Sequence, residues 1–292
     1  MNYPHNKQFA FTIIDDTEGD NIENTRPIYE FLAKLDFRTT KTVWALPPRD
    51  HFRGLSLGDY HYRQYIKKLQ RDGFEIALHS VGSGRFTRQD ILDGLEVFRQ
   101  FMGFYPKIQI NHSQNPDNLY WGIKRFSCLR PFWRWSKFGG DDPKSIYFWG
   151  DYARKYLKFI RNFTFKSLNT LQADPYMPYK ERQKEYANFW FSAADGADLE
   201  KFNRLLSQKN IDRLIQENGA AIIYTHFAQG FVRGGRLDRA FQRNLVYLAR
   251  RNGWFVPAGE LLDYLLKQGR GKEISWWQKV GLEFKWLLDK IF

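Results

Sequence analysis

The interpretation of this chain starts from residues 9–16, which read FAFTIIDD. An unbroken apolar run such as residues 9–14 is typical of a strand that is buried on both faces, as in a parallel sheet. Asp15 and Asp16 follow directly, so two carboxylates stand where this strand ends. In parallel α/β barrels the reactive groups lie at the carboxyl ends of the strands. The stretch therefore predicts a first barrel strand that carries a pair of candidate functional residues.

Short apolar runs alternate with helical patterns along most of the chain. The predicted strands are 8–14, 41–46, 74–78, 107–110, 145–149, 188–192, 220–225 and 254–256. The predicted helices are 26–35, 59–71, 88–102, 117–126, 198–217, 236–252 and 259–267. This alternation predicts parallel βαβ units, and seven or eight of them favour a (β/α) barrel of about seven strands over an open doubly wound sheet.

One segment, residues 127–187, departs from the alternation because it is rich in Pro, Gly, aromatic and basic residues. We predict that it is an insertion over one end of a single barrel domain that spans residues 1–268. Its cations either hold an anionic head group or form a solvated face; they are Arg130, Arg134, Lys137, Arg154, Lys155, Lys158 and Arg161.

The segment 269–292 predicts a separate amphipathic helix. Its apolar residues recur at helical spacing and are Trp277, Val280, Gly281, Phe284, Leu287, Leu288 and Ile291. Lysines flank this stripe at positions 272, 279, 285 and 290. Such a helix suits an anionic membrane surface, reached through residues 270–292, but it also suits docking on the barrel or on a second subunit.

Composition narrows the classes of function. The chain has 292 residues and a formal net charge of +13, which favours anionic surroundings such as phosphorylated sugars or lipid head groups. Nucleic-acid binding is not expected, because the cations are dispersed and no zinc-ligand or RNA-recognition pattern is visible. Motifs for dinucleotide, P-loop and serine-hydrolase chemistry are also missing. A single cysteine, Cys128, and the lack of a membrane-spanning stretch predict a cytoplasmic protein, free or at the inner face of the membrane.

Polar residues follow four of the predicted strands. They are Asp15-Asp16, His79-Ser80, Asn111-His112 and Thr225-His226. One carboxylate and two imidazoles suit zinc, with cobalt, nickel or iron as alternatives, and a second carboxylate can act as a base toward water. Each pair alone is equally compatible with a turn cap or a buried structural histidine, whereas their joint order at strand ends favours a metal site.

Three of these segments, residues 9–16, 76–80 and 222–226, resemble in the same order the motifs of the polysaccharide deacetylase family, carbohydrate esterase family 4. The resemblance implies a distorted (β/α) barrel that hydrolyses N- or O-acyl groups of sugars with a bound divalent metal. It further implies that Asp15 is the general base, that Asp16 and His79 are metal ligands, and that His226 is the general acid. Asp195 is expected either to orient His226 or to cap a helix.

The chain departs from the family pattern at two places. Family members have a second histidine four positions after the first, where this chain has Ser83, so we expect His112 to supply the third metal ligand. The arginine of the family's next motif is also missing, and Arg85 or Arg88 is expected to brace Asp15 instead.

These observations predict a metal-dependent hydrolase that removes an acyl group, such as acetyl, from an amino sugar or glycan. The substrate is expected to be linked to a lipid or a phosphate, as in the synthesis of surface polysaccharide or lipopolysaccharide. The residues expected to contact it are Ser80, Arg85, Trp121, Trp190 and Asp195. The alternative is a catalytically inactive, carbohydrate-binding relative of the same fold, and Ser83 is its main support.

Overall fold

The predicted apolar runs form a closed barrel of parallel strands in the computed structural model, which describes residues 2–291. The barrel strands are β1 (Phe9–Asp15), β2 (Thr40–Val43), β3 (Glu75–His79), β4 (Ile108–Ile110), β5 (Phe159–Phe165), β6 (Phe189–Asp195) and β7 (Ala220–Thr225). Each strand pairs in parallel with the next, and β7 pairs with β1. The seven strands therefore close on themselves, which confirms the predicted barrel.

Strand β1 is the centre of the assembly, and all of its residues are buried. One edge pairs with β7 along Ala10 to Asp15, and the other pairs with β2 only at Ile14 and Asp15. The lower part of that second edge is taken by a short strand, Gly253–Phe255. This strand is β10, since a two-stranded antiparallel hairpin precedes it, β8 (Val232–Arg233) and β9 (Arg236–Leu237).

Helices follow most of the strands and cover the barrel. They are α1 (Ile22–Lys34), α2 (Tyr60–Arg71), α3 (Arg88–Met102), α4 (Gly150–Tyr156), α5 (Thr170–Ala173), α6 (Leu199–Leu205), α7 (Gln208–Gln216), α8 (Arg239–Ala249), α9 (Ala258–Lys267) and α10 (Trp276–Ile291). Helix α3 illustrates why they begin and end where they do: the Thr87 side chain accepts from the Asp90 amide, and Gly103 ends the helix at φ 86°. Short 3-10 helices occupy Pro4–Asn6, Gly122–Arg125 and Ser127–Trp135.

The structure corrects part of the predicted element order. The predicted strand 145–149 is wrong: it forms turns that lead into α4. The true barrel strand is β5, within the predicted insertion, where Arg161, Asn162 and Thr164 interrupt the apolar pattern. The inserted part of 127–187 is therefore shorter than predicted, and the division into domains stays a prediction.

Two helices were also predicted wrongly. Residues 117–126 contain only the 3-10 turn Gly122–Arg125. The predicted helix 198–217 is two helices, because α6 ends at Leu205 and Ser207 precedes the first turn of α7.

Helix α10 lies against β5 with one face and leaves the opposite face in solvent. Leu282 is buried, and the Trp286 ring packs on Phe163 at a centroid distance of 5.5 Å. Trp277 and Ile291 on the outer face are 76% and 71% exposed. Among the described residues, none of the helices combines the length and the apolar character that crossing a membrane requires.

Candidate active site

The strand ends place four of the predicted residues at one end of the barrel. Asp16 follows β1, His79 is the last residue of β3, His112 lies two residues beyond β4, and His226 follows β7. Because all barrel strands are parallel, their carboxyl ends form a common mouth. The site is therefore built from strand ends and the loops that follow them, which the barrel holds together.

Glu18, which the sequence analysis did not single out, lies at the centre of this group. Its Oε1 atom is 2.9 Å from Nε2 of His79 and 3.4 Å from Nε2 of His112. Its Oε2 atom is 3.5 Å from Nε2 of His226. Three histidines from three strand ends thus face one carboxylate, whose side chain is 13% exposed.

Asp16 faces the same mouth but is held by an arginine. The guanidinium of Arg161, on β5, donates to both carboxylate oxygens, at 3.1 and 2.5 Å. It also lies over the Tyr224 ring, 4.5 Å from the centroid. Ligand atoms of Asp16, Glu18 and His226 all lie within 4.8 Å of one another. The charge of Asp16 is therefore balanced by Arg161, and its carboxylate lies close to Glu18 and His226.

Asp15, although adjacent in sequence, points to the other face of β1. Its Oδ2 atom accepts from Tyr29 at 3.0 Å and lies 2.9 Å from Nζ of Lys41, and its Oδ1 atom accepts from the Phe227 amide at 2.9 Å. Nothing in residues 2–291 joins it to a histidine by a hydrogen bond or ion pair. The expected role of Asp15 as general base does not fit this position, because its carboxylate points away from the histidines of the mouth and contacts Tyr29, Lys41 and the Phe227 amide instead.

The electrostatics of the cluster distinguish its histidines. Burial, together with neighbouring His79, lowers the pKa of His112 to about 4, so His112 is a neutral imidazole at pH 7. Burial also acts to lower the pKa of His226, but its contact with Glu18 prevails and raises it to about 9. Burial would raise the pKa of Glu18, yet His79 and His226 hold it well below its usual range. The arrangement thus combines an ionised carboxylate, a neutral imidazole and a protonated one.

The donor set fits a divalent metal ion. Glu18, His79 and His112 offer one carboxylate oxygen and two imidazole nitrogens within 4.8 Å of one another. In tetrahedral zinc sites the metal–ligand distances of 2.0–2.1 Å separate the ligand atoms by about 3.4 Å, which is close to the spacing from Glu18 to the two histidines. Mixed nitrogen and oxygen ligands also suit cobalt, nickel and iron.

The predicted braces of Asp15 are elsewhere. Arg85 is exposed, and Arg88 pairs with Asp151 at 2.7 Å. Asp15 is braced by Lys41 instead. The Lys41 ammonium is fully buried and lies 2.9 Å from both Asp15 and Asp20. The expectation for Arg85 and Arg88 is therefore corrected.

Serines 80 and 83 both support His112. Ser80 is buried, and its Oγ accepts from the His112 amide at 3.3 Å, so it is not free to contact a substrate. Ser83 donates to the Asp50 carboxylate at 2.8 Å and lies 3.4 Å from Nε2 of His112. Ser83, which stands where the resemblance led us to expect a second histidine, therefore contacts His112, the residue expected to replace that histidine.

The remaining expected substrate contacts are only partly supported by their positions. Trp190 is 1% exposed and lies in the core, which excludes direct contact with a substrate. Trp121 is half-buried, and its Nε1 donates to the Ser113 carbonyl at 3.1 Å. Asp195 accepts from Lys290 at 2.9 Å and does not orient His226, whose Nδ1 bonds the Ala197 carbonyl at 2.7 Å.

Glu18, Lys41 and Arg161 are the residues of the site that sequence reasoning missed or assigned elsewhere. The spacing Asp16-x-Glu18 after a strand was a usable signal, because a loop leaving a strand can bring both side chains to the same mouth. Arg161 stood out only as one of many cations. Lys41 lies inside a predicted strand, where nothing in the local pattern marks a buried ion pair.

Comparison with known proteins places the fold. No protein-family model matches the chain, and no curated protein sequence does. Among solved structures, a candidate polysaccharide deacetylase from Mycobacterium smegmatis is similar with a TM-score of 0.53 at 12% identity, covering 94% of this chain and 96% of the other. The chain thus has the fold of the polysaccharide deacetylases, which confirms the resemblance at the level of the fold.

Two further structures are more distant. The peptidoglycan deacetylase PdaC from Bacillus subtilis has a TM-score of 0.44 at 14% identity, covering 91% of this chain and 95% of that one. A family 4 acetyl xylan esterase from Clostridium thermocellum, in complex with a cobalt ion, has a TM-score of 0.42 at 14% identity, covering 89% and 91%.

Proposed function

We propose that the protein is a divalent-metal-dependent hydrolase that removes an acyl group from an acylated amino sugar or glycan. The observation that carries this proposal is the convergence of Asp16, Glu18, His79, His112 and His226 at the mouth of a barrel with the polysaccharide deacetylase fold. The candidate acid–base groups and the candidate metal ligands lie together, because both groups include or contact Glu18. The substrate class follows from the fold by analogy and is tested below.

Glu18, His79 and His112 are our candidates for holding the metal. Glu18 replaces Asp16 in this role, because a carboxylate oxygen of Glu18 lies within 4.8 Å of both histidine nitrogens, whereas Asp16 groups with Glu18 and His226. Zinc is our first choice, with cobalt, nickel and iron as alternatives. A bound divalent ion supplies a Lewis acid that polarises the acyl carbonyl and acidifies water.

Asp16 and His226 are our candidates for proton transfer. The Arg161 fork keeps the Asp16 carboxylate in one orientation, which suits a general base that accepts a proton from water. The bond from His226 to the Ala197 carbonyl fixes its ring with Nε2 toward the mouth. This nitrogen carries the proton that the departing sugar nitrogen requires.

The test is metal content together with acyl release. Protein purified without chelators is analysed by mass spectrometry for zinc, cobalt, nickel and iron, and then incubated with N-acetylated hexosamines and their oligomers while free acetate is measured. We expect about one metal per chain, lost in His79→Gln and kept in His61→Gln, which changes an exposed histidine on α2. His226→Ala should keep the metal and lose acetate release.

The catalytically inactive relative is the competing function, favoured by the Ser83–Asp50 contact at the second histidine position. It predicts no metal in the wild-type protein, even after zinc, cobalt or nickel is added, while glycans still bind. That result would exclude the hydrolase. Metal without acetate release from any acylated sugar would leave the metal site and contradict the reaction.

We also propose that the outer face of α10 meets a membrane surface. Trp276, Trp277, Phe284 and Ile291 are exposed there, as interfacial helices require. The predicted attraction by lysines is weakened, since Lys279 binds Glu181 and Lys290 binds Asp195 within the protein. Co-sedimentation with vesicles of phosphatidylcholine and phosphatidylglycerol should fall in the double variant Trp277→Ser/Phe284→Ser and not in Phe104→Ser. Unchanged sedimentation in both would contradict the contact.

A further inference from the structure

A small cavity of about 290 Å³, open to solvent, is formed by the β8–β9 hairpin and the start of α8. Arg233 and Arg236 of the hairpin line it together with Arg239, the first residue of α8. Its volume is near the lower end of ligand sites in proteins, roughly 300–1,000 Å³. It therefore suits one small group of a ligand rather than a whole glycan.

The charge of the cavity is strongly one-sided. Three arginines and a single acidic residue, Asp238, line it. The Oδ1 atom of Asp238 caps α8 by accepting from the Phe241 amide at 2.8 Å and also accepts from Asn203 at 3.2 Å. Within residues 2–291, none of these three exposed arginines has a carboxylate within ion-pair distance, whereas the buried Lys41 and Arg161 each pair with an aspartate. The hairpin and the start of α8 thus bring together three arginines whose positive charges have no ion-pair partner among residues 2–291.

The cavity is connected to His226 by a single turn. The Gln229 amide donates to the His226 carbonyl at 2.9 Å, and the next residue, Gly230, lines the cavity. Gly230 has φ 86°, so the chain turns there in a conformation that side chains rarely adopt, and an added Cβ would lie 3.7 Å from the Arg233 guanidinium. A ligand group in the cavity is consequently next to the loop that carries the proposed general acid.

We infer that this cavity binds a phosphoryl group of the substrate, so that the substrate class is an acylated amino sugar carrying a phosphate or diphosphate. Arginine forks bind phosphate oxygens in pairs and stay charged at every physiological pH. This inference rests on the proposed function for the sugar, while anion binding itself does not depend on catalysis.

The first experiment measures binding of inorganic diphosphate to the full chain by titration calorimetry at constant ionic strength. The double variant Arg233→Gln/Arg236→Gln is compared with Arg71→Gln/Arg250→Gln, which removes the same charge from exposed arginines at the ends of α2 and α8, away from the mouth. We expect the hairpin variant to bind at least about tenfold more weakly, as loss of charged hydrogen bonds predicts. The control variant should bind within about twofold of the wild type, which is the size of a general charge effect.

Three outcomes overturn the inference. The first is that the wild-type protein gives no heat of diphosphate binding. The second is that both double variants bind diphosphate equally weakly. The third is that neither variant binds more weakly than the wild type, which would mean that diphosphate binds the metal or another site. Since all four arginines are exposed, thermal unfolding midpoints identify any variant whose loss reflects folding. The single variant Arg239→Gln then provides an independent test of the same cavity.

A second experiment separates a substrate phosphate from free phosphate. Acetate release is compared for N-acetylglucosamine 1-phosphate and for the uncharged methyl glycoside. The hairpin variant should lose about tenfold in kcat/KM for the phosphorylated sugar and none for the neutral one. Equal rates for the two sugars in the wild type would overturn the inference and leave the hydrolase intact. If neither sugar is cleaved, the binding experiment still decides the cavity, and the proposed reaction fails separately.

Discussion

Two carboxylate clusters lie on opposite sides of the end of β1, and they are built for different purposes. Beneath the mouth, Asp15 and Asp20 share the ammonium of Lys41, and Tyr29 and Tyr62 close the group off from water. In the mouth, Glu18 meets imidazoles and keeps part of its surface accessible. The comparison shows how adjacent residues of one strand end serve support and chemistry separately, since successive side chains point to opposite faces.

The largest effect is expected from removing the cation of the buried cluster. Lys41→Met leaves two buried carboxylates facing each other without a counter-charge, which costs about 3–5 kcal/mol of folding free energy. Urea denaturation measures this against Lys34→Met, an exposed lysine on α1. A loss below about 1 kcal/mol, the range of exposed ion pairs, would contradict the supporting role of Lys41.

Asp117 is a buried carboxyl that, among the described residues, has no cation as a partner, so it contrasts with Asp15 and Asp20 beside Lys41. Burial raises the pKa of Asp117 to about 7, above the value of about 3.8 in the unfolded chain, so the folded state binds the proton more tightly. The protonated Asp117 carboxyl therefore favours the folded state fully below pH 4. This stabilisation, on the order of a few kcal/mol of unfolding free energy, is lost as the pH rises to 7. Asp117→Asn should flatten the unfolding free energy over this range, measured by urea titration at each pH. An unchanged slope would show that Asp117 titrates normally.

The cluster in the mouth should respond in the reverse way. Glu18→Gln removes a charge whose partner His226 can release its proton in response, so stability should fall by less than in Lys41→Met, where both buried carboxylates lose their cation. Zinc affinity should fall at least about 100-fold, because even outer-shell partners of metal ligands are worth about 10- to 100-fold. Competition with a chelating dye measures the affinity, with Glu30→Gln as the exposed control. Wild-type affinity in Glu18→Gln would return the ligand role to Asp16.

The smallest effect is expected at the exposed ion pair. Arg88 and Asp151 are bonded by two contacts of 2.8 and 2.7 Å, yet both side chains remain about one-third to one-half in water. Arg88→Gln should therefore cost less than about 1 kcal/mol by urea denaturation, in contrast to the similar distances around Lys41. A larger loss would indicate that geometry outweighs burial in this protein.

The fold was largely predictable because β1, β7 and most helices carry strong local patterns. Residues 220–225 were predicted as the strand that the structure contains, and so was the helix at 88–102. β5 was not, because Arg161 and Asn162 have long-range partners that no local pattern reveals. The opposite directions of Asp15 and Asp16 likewise depend on Lys41 and Arg161, which are distant in sequence.

The site was predicted in outline rather than in its roles. The histidines at strand ends do converge, since parallel strands bring their carboxyl ends together. The central carboxylate was overlooked because Glu18 lies in the loop, beyond the adjacent pair that attracted attention. The assigned roles stay predictions until metal binding and acyl release are measured.

The pairing of β1 has a consequence for how the chain is synthesised. Apart from β2, which pairs with it only at Ile14 and Asp15, its partners are β7 and β10, and these are made only when residues 220–255 have been translated. A nascent chain that has reached the middle of the protein therefore holds a strongly apolar first strand with one edge open and most of the other edge open. Such strands aggregate when exposed, so a ribosome paused before β7 presents the form of this protein that most needs a chaperone.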